Sequence, residues 1–361
     1  MTELTGSAVN MNDSIFRVID ANRNRANEGL RVSEEIARFV LDAGQETGEF
    51  KNLRHLVNRL IDGLGIKPEF LISERDSVSD VGTENIKSES GRSNYRQLLR
   101  ANMGRVEQSL RVFEEFSKLL KKKSSAEKFK GCRFLAYTLE KRIYGLLCRQ
   151  SRTEKIDWSL YVIIDVDFLW GRSVMEAAGQ VISGGATVIQ LRAKRLESGI
   201  FLELALKLQR MAKNSGIAFI VNDRPDIARL SGAAGVHLGQ ADLPVESARK
   251  TLSQFQLIGH SSKNLRELSK SAVMPVDYAG FGPVFPTQNY PDAPCGIEAL
   301  RKARRIFARP LIAIGGINES NAKSVLKTGV DGIAVISAVL GKPGIAGATR
   351  ELSRLVKRIK K

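Results

Sequence analysis

The segment Gly185-Ala-Thr-Val-Ile-Gln190-Leu-Arg192-Ala-Lys194 reads as a short apolar strand that turns polar at its end. Side chains alternate faces along a strand, so Gln190, Arg192 and Lys194 share one face while Ile189 and Leu191 share the other. An apolar face backed by an amide and two cations fits a strand that is buried on one side and reaches a site on the other. The same texture recurs along the chain. With this run at 187–191, apolar runs stand at 160–164, 218–221, 235–238, 257–259, 278–281, 311–314 and 332–336, each followed by a helical stretch. Eight such units within about two hundred residues predict a (β/α)8 TIM barrel in an α/β chain. A doubly wound open sheet alternates in the same way. The barrel is favoured because nearly every run ends in reactive or small residues.

In such a barrel the C-terminal strand ends converge on one mouth, where the active site is built. Those ends offer Gln190, Arg192 and Lys194, then Asn222 and Asp223, then Gln240 and Asp242, then Ser261, Thr287, Gly315-Gly316 and Ser337. Cationic side chains and amides suit phosphate oxygens, and two separate carboxylates suit a divalent cation. Taken singly, each piece has a plainer reading. Asn222-Asp223 before Pro225 can cap a helix, and so can Asp242 before Leu243-Pro244. Gly315-Gly316 can be a tight turn. Their joint order points instead to phosphate chemistry, with backbone N–H groups after the seventh and eighth strands expected to take a phosphate.

Residues 1–150 predict a mainly α-helical domain, joined through the polar stretch 149–155 to the barrel domain at 156–361. The helical half contains an internal repeat. ANRNRANEGLRVSEE (21–35) returns as ANMGRVEQSLRVFEE (101–115), which suggests two copies of one unit about a pseudo-two-fold. Asn22, Arg25 and Glu28 fall roughly on one helix face, and Asn102, Arg105 and Gln108 repeat it, so a partly polar buried face is expected. Interlocking salt bridges that fix the helix pairing are one reading. A polar pocket for a phosphorylated ligand, covered by the loop at 75–83, is the other.

The formal net charge of +17 asks for a partner of opposite sign, either phosphorylated small molecules or nucleic acid. The Lys and Arg residues form no aromatic-interleaved stripe, so nucleic acid is not expected. No apolar run is long enough to span a membrane, and the start MTELTGSAVNMNDS lacks the basic and apolar regions of a secretory signal. Cys132, Cys148 and Cys295 are scattered and lack metal-ligand spacing, which fits a reducing, cytoplasmic setting. A homo-oligomer is compatible with all of this.

The motifs GATVIQLRAK, FIVNDRPDIA, GVHLGQAD, GHSS, GFGPVFPT, PLIAIGGI and GIAVISA follow one another in the order seen in thiamine-phosphate synthases. Residues 160–340 thus resemble that family, which joins a hydroxymethylpyrimidine diphosphate to a thiazole phosphate and releases pyrophosphate. The resemblance implies that Gln190, Arg192, Lys194, Asn222 and Ser261 bind the pyrimidine diphosphate, with Arg192, Lys194 and Ser261 closest to catalysis. It implies Mg2+ on Asp223 and Asp242, and the thiazole phosphate on Thr287, Gly316, Ile336 and Ser337. The implied reaction is dissociative: a pyrimidine-stabilised carbocation is captured by the thiazole nitrogen, with little general acid or base from the protein. His237, within the fourth strand, and His260, beside Ser261, are accordingly expected to be structural.

The first half resembles the N-terminal domain fused to some bacterial members, through RVIDANRNRANEGLRVSEEIARFVL, DVGT, RANMGRVEQSLRVFEEF and RFLAYTLEKRIY. A hydroxymethylpyrimidine-phosphate kinase role has been proposed for that domain. No Gly-rich phosphate loop stands in this half to support it.

One stretch departs from the family. After Pro286-Thr287 the usual pattern is a residue, then Thr or Ser, then a Lys that contacts the diphosphate. This chain has Gln288, Asn289 and Tyr290. Asn289 keeps hydrogen-bond donors for the substrate, whereas Tyr290 brings no positive charge. Losing one charge-assisted contact costs about 1.5–3 kcal/mol. Two alternatives follow from this break: a thiazole tautomerase-like barrel, or a non-catalytic barrel that binds phosphate or nucleic acid. The tautomerase is expected to carry a His shortly after the sixth strand, where this chain has Pro283. Pro283, with both Asp223 and Asp242 in place, favours the synthase.

Overall fold

The computed structural model describes residues 11–73, 91–287 and 293–360. The chain forms two compact units that divide between Cys148 and Arg149. The loop expected at 75–83, together with Asn289 and Tyr290, lies outside the described residues.

The first unit is helical: α1 (Met11–Glu35), a π-helical turn (Ile36–Val40), α2 (Gly44–Asp62), α3 (Pro68–Ser73), α4 (Tyr95–Leu119) and α5 (Lys123–Lys155). The two copies of the repeat lie on α1 and α4, each 25 residues long. They bury equivalent positions, Ala26 with Val106 and Leu30 with Leu110, in one core with Phe50, Phe113 and Phe129. The expected polar face splits. Asn22 and Asn102 are buried, and each amide donates to the carbonyl four residues back, Val18 and Leu98, at 2.8 Å. Arg25, Glu28, Arg105 and Gln108 are exposed instead. A helix turn of 3.6 residues carries i+3 and i+6 progressively off the buried stripe and onto the exposed side of the helix.

Salt bridges tie each copy to a neighbouring helix, α1 to α2 and α4 to α5, through residues the repeat offers elsewhere. Buried Glu34 takes Arg31 from its own helix at 3.2 Å and Arg54 from α2 at 3.3 Å. Buried Glu114 repeats the pattern with Arg111 and with Arg133 of α5, both at 3.0 Å. The stretch expected as a linker is the last part of α5. Its Arg149 belongs to the second unit, where it bonds Asp277 at 3.1 Å and the Gln254 carbonyl at 2.8 Å. Those partly buried partners within the second unit hold the backbone helical where composition alone suggested a linker.

The second unit is a closed parallel barrel with its strands in sequence order. They are β1 (Leu160–Asp165), β2 (Val188–Arg192), β3 (Ala218–Asn222), β4 (Gly235–Leu238), β5 (Leu257–Ser262), β6 (Tyr278–Phe281), β7 (Leu311–Ile314) and β8 (Gly332–Val335). The helices between them run from α6 (Val174–Ser183) to α14 (Ile345–Lys360). Period-2 alternation builds two cores. Leu160, Val162 and Ile164 of β1 pack outward with Ile189, Leu191, Phe219 and Val221 under the helices. Tyr161, Ile163, Val188, Ile220, Leu257, Tyr278 and Ile312 pack inward, with Trp158 beneath them. The same alternation sends Asp165, Gln190, Arg192 and Asn222 into the mouth.

Candidate active site

A cavity of about 230 Å³ opens at the C-terminal strand ends. Of the residues expected at the site, Gln190, Arg192, Asn222, Ser261, Thr287, Gly316, Ile336 and Ser337 line it. Gln190 donates to the Asn222 side-chain oxygen at 2.6 Å, which fixes both amides side by side. A second cavity of about 390 Å³ adjoins it and shares Thr287, Gly316, Ile317 and Ser337. Gly316 sits at φ 65°, and a Cβ there would meet the Pro286 carbonyl at 2.6 Å. Only glycine lets the backbone pass that close, leaving the loop after β7 to line both cavities.

Lys194, Asp223 and Asp242 stand at the rim. β2 ends at Arg192, so Lys194 leaves the strand's alternation and its exposed ammonium sits 4.0 Å from Asp223. Asp242 is held by the Gly239 N–H at 2.6 Å. Asp223 has a backbone φ of 62°, a left-handed conformation that few side chains other than those of Asn and Asp adopt. Burial, together with a hydrogen bond to Asp242 and that residue's charge, pushes the Asp223 carboxyl up to about 7, against the pull of Lys194 and Arg192. The Asp242 carboxylate therefore favours a proton on Asp223 when no cation lies between them.

Three contributors were missed from sequence. Asp165, at the end of β1 and nearly buried, takes the Arg192 guanidinium through its Oδ2 and fixes it in the mouth. Its signal was a carboxylate directly after the run 160–164, the position that supplies site residues on other strands. Tyr161 and Tyr278 also line the cavity, their hydroxyls 3.2 Å apart. His237 departs from expectation: it points inward and lines the cavity, with Nε2 2.9 Å from the Ser261 hydroxyl and Nδ1 3.1 Å from the Tyr278 hydroxyl. Burial, with His260 adding to it, lowers its pKa to about 4 and keeps the ring neutral. His260 faces outward, bonded to Ser271 at 2.8 Å, a structural role as expected.

Against known families, residues 160–339 match the thiamine monophosphate synthase family and residues 17–142 match the ThiD2 family. A thiamine-phosphate synthase of a Nostoc species is 36% identical over 352 residues, covering 96% of this chain and 95% of the relative. The chain belongs to the thiamine-phosphate synthase family. It is thus an enzyme, a transferase of thiamine biosynthesis. The thiamine-phosphate synthase of Persephonella marina is 46% identical over 204 residues, 56% of this chain and 98% of its own length. A solved thiamine phosphate pyrophosphorylase from Pyrococcus furiosus superposes with a TM-score of 0.54 at 38% identity, covering 57% of this chain and 98% of that one. Thiamine-phosphate synthase relatives thus occur both with and without a counterpart of the first unit.

Proposed function

We propose that the mouth joins a hydroxymethylpyrimidine diphosphate to a thiazole phosphate, giving thiamine phosphate and pyrophosphate, with Mg2+ held by Asp223 and Asp242. The observation that carries this reading is the pair of close carboxylates beside Lys194, at the rim of a cavity that also holds Arg192. A carboxyl whose proton affinity is raised by a second carboxylate beside it fits a divalent cation in the proton's place. An all-oxygen donor set suits Mg2+, which takes one or two carboxylates and leaves its other positions to water and substrate phosphates. When bound, Mg2+ supplies neutralising charge for the departing diphosphate.

The chain's own residues account for the rest. Arg192, anchored on Asp165, and Lys194 add fixed positive charge beside the diphosphate. Gln190, Asn222 and Ser261 present amides and a hydroxyl along its side of the cavity. Thr287, Gly316, Ile336 and Ser337 also line the cavity and take the thiazole phosphate. Ile163, Ile312 and Ile314 keep the space between them apolar, so that the thiazole nitrogen and not water captures the pyrimidine cation. Neutral His237 fits a reaction that asks little acid–base work of the protein. Among the described residues no helix is long and apolar enough to cross a membrane. The substrates' phosphates would keep them in the cytoplasm, where we place the reaction.

Purified protein given both substrates and Mg2+ is expected to form thiamine phosphate and pyrophosphate, and to stop when the metal is chelated. Folded protein that forms neither product would sink the proposal.

The outer cavity adds a residue that the family motifs do not contain. Lys342 lines it and pairs with Glu319 at 3.2 Å; among the described lining residues it is the one cation. A phosphate dianion held there competes with Glu319 for that ammonium. Lys342→Ala is expected to raise KM for the thiazole phosphate about 3- to 10-fold. KM for the pyrimidine diphosphate should not move; steady-state kinetics with each substrate varied in turn separates the two.

A further inference from the structure

Tyr161, Tyr278, His237 and Ser261 come from four different strands, yet their polar atoms form one unbroken line inside the barrel. The steps are 3.2 Å from Tyr161 to Tyr278, 3.1 Å from Tyr278 to His237 Nδ1, and 2.9 Å from His237 Nε2 to Ser261. Space for this line is made by Gly259, where a Cβ would meet the Tyr278 ring at 2.1 Å and His237 Nδ1 at 2.5 Å.

A line of hydrogen bonds through a neutral imidazole can run in two directions, because the ring carries one N–H and one bare nitrogen. In one direction Tyr161 donates to Tyr278, Tyr278 donates to Nδ1, and Nε2–H donates to Ser261. In the other every bond is reversed, and Ser261 donates into the protein. The two are not equal in energy. Reversal leaves the O–H of Tyr161, which is 2% exposed, with no acceptor among the described residues. The forward direction leaves only a spare lone pair on the same oxygen. A stranded buried donor costs more than an unused lone pair on an oxygen. Burial raises both phenols above their ordinary values and keeps their protons in place. Forward polarity also leaves the Ser261 proton free for the cavity, where a diphosphate offers acceptors and no donors.

We propose that Tyr161, Tyr278 and His237 form a one-way hydrogen-bond chain that presets the Ser261 hydroxyl as a donor to the diphosphate of the substrate. This rests on the placement of that diphosphate at Ser261. Tyr278 and His237 are positioning residues: they act through Ser261, and the substrate meets a hydroxyl already turned toward it.

Nitrogen-15 NMR of the imidazoles in the full chain, with His237 assigned by its loss in His237→Gln, reads the direction without any kinetics. The Nε2–H tautomer is expected at pH 8, both alone and with Mg2+ and inorganic pyrophosphate. An Nδ1–H ring, or an even mixture, overturns the proposal. Tyr161→Phe should keep the Nε2–H tautomer, and a switch to Nδ1–H overturns it. Tyr278→Phe should release the ring to both tautomers and lower kcat/KM for the pyrimidine diphosphate about 10- to 100-fold, and Ser261→Ala should lower it by as much. Tyr278→Phe combined with Ser261→Ala should be no worse than Ser261→Ala alone, since both remove the same donor. Losses that multiply overturn the proposal. If Tyr278→Phe does not fold, the wild-type tautomer still decides. If the wild-type enzyme forms no thiamine phosphate, the proposed function fails while the tautomer still tests the chain's direction.

Discussion

Asp223→Asn is expected to lower kcat/KM by about 10²- to 10³-fold and, at the same time, to make the metal-free protein more heat-stable above pH 7. The loss of activity follows from removing one of two carboxylates that hold the cation. The gain in stability follows from the carboxyl's displacement to about 7 from its ordinary 3.8. Between those values the folded protein binds a proton that the unfolded chain has released. Stability contributed by this group is therefore complete below about pH 4 and falls as the pH rises through about 7. Asparagine carries no charge and removes that fall. Mg2+ should do the same for the wild type, raising its melting temperature more at pH 8 than at pH 5. Thermal melts at both pH values, with and without Mg2+, check this. A wild type stabilised equally by Mg2+ at both would sink the account.

Arg192→Ala should cost both activity and stability, and the two losses should come apart. The guanidinium supplies charge to the cavity and also neutralises Asp165, whose side chain is 7% exposed. Its removal is expected to lower kcat/KM about 10²-fold. It also leaves a carboxylate with little water around it, at a cost of about 2 kcal/mol, discounted because Arg192 itself is partly exposed. Adding Asp165→Asn to Arg192→Ala should restore the stability and none of the activity. A double variant that melts no higher than the single one would show that Asp165 is not the source of the loss.

The eight strands were legible because parallel barrel strands are short, apolar and separated by helices; β4, β6 and β7 begin and end where the apolar runs do. The mouth was legible because alternation plus strand ends names a face. It was less legible where a side chain sits one step beyond a strand. Lys194 follows the alternation of Gln190 and Arg192 in sequence, but the strand stops at Arg192 and the lysine goes to the rim. Histidine parity was hidden for a related reason. His237 and His260 both sit in apolar strands, and nothing local says which parity faces inward. That follows only from registering each strand against its neighbour, as His237 with Asn222 and Gly259. In the helical unit the repeat was plain, whereas its buried ion pairs join α1 to α2 and α4 to α5, distances along the chain at which a single helical wheel says nothing.

The aromatic floor carries a consequence for traffic. Trp158 and Tyr278 pack with ring centres 4.6 Å apart and planes tilted by 34°, and Tyr161, Leu257 and Ile312 fill the same inner core. The barrel is therefore a blind alley, shut at its far end and open at one doorway. Two reactants that meet in it arrive by the same route. The one that lies deeper has to be first in, and its part of the product has to wait for whatever stands nearer the threshold to leave. The sequence of arrivals and departures is in this way written into the walls before any chemistry begins.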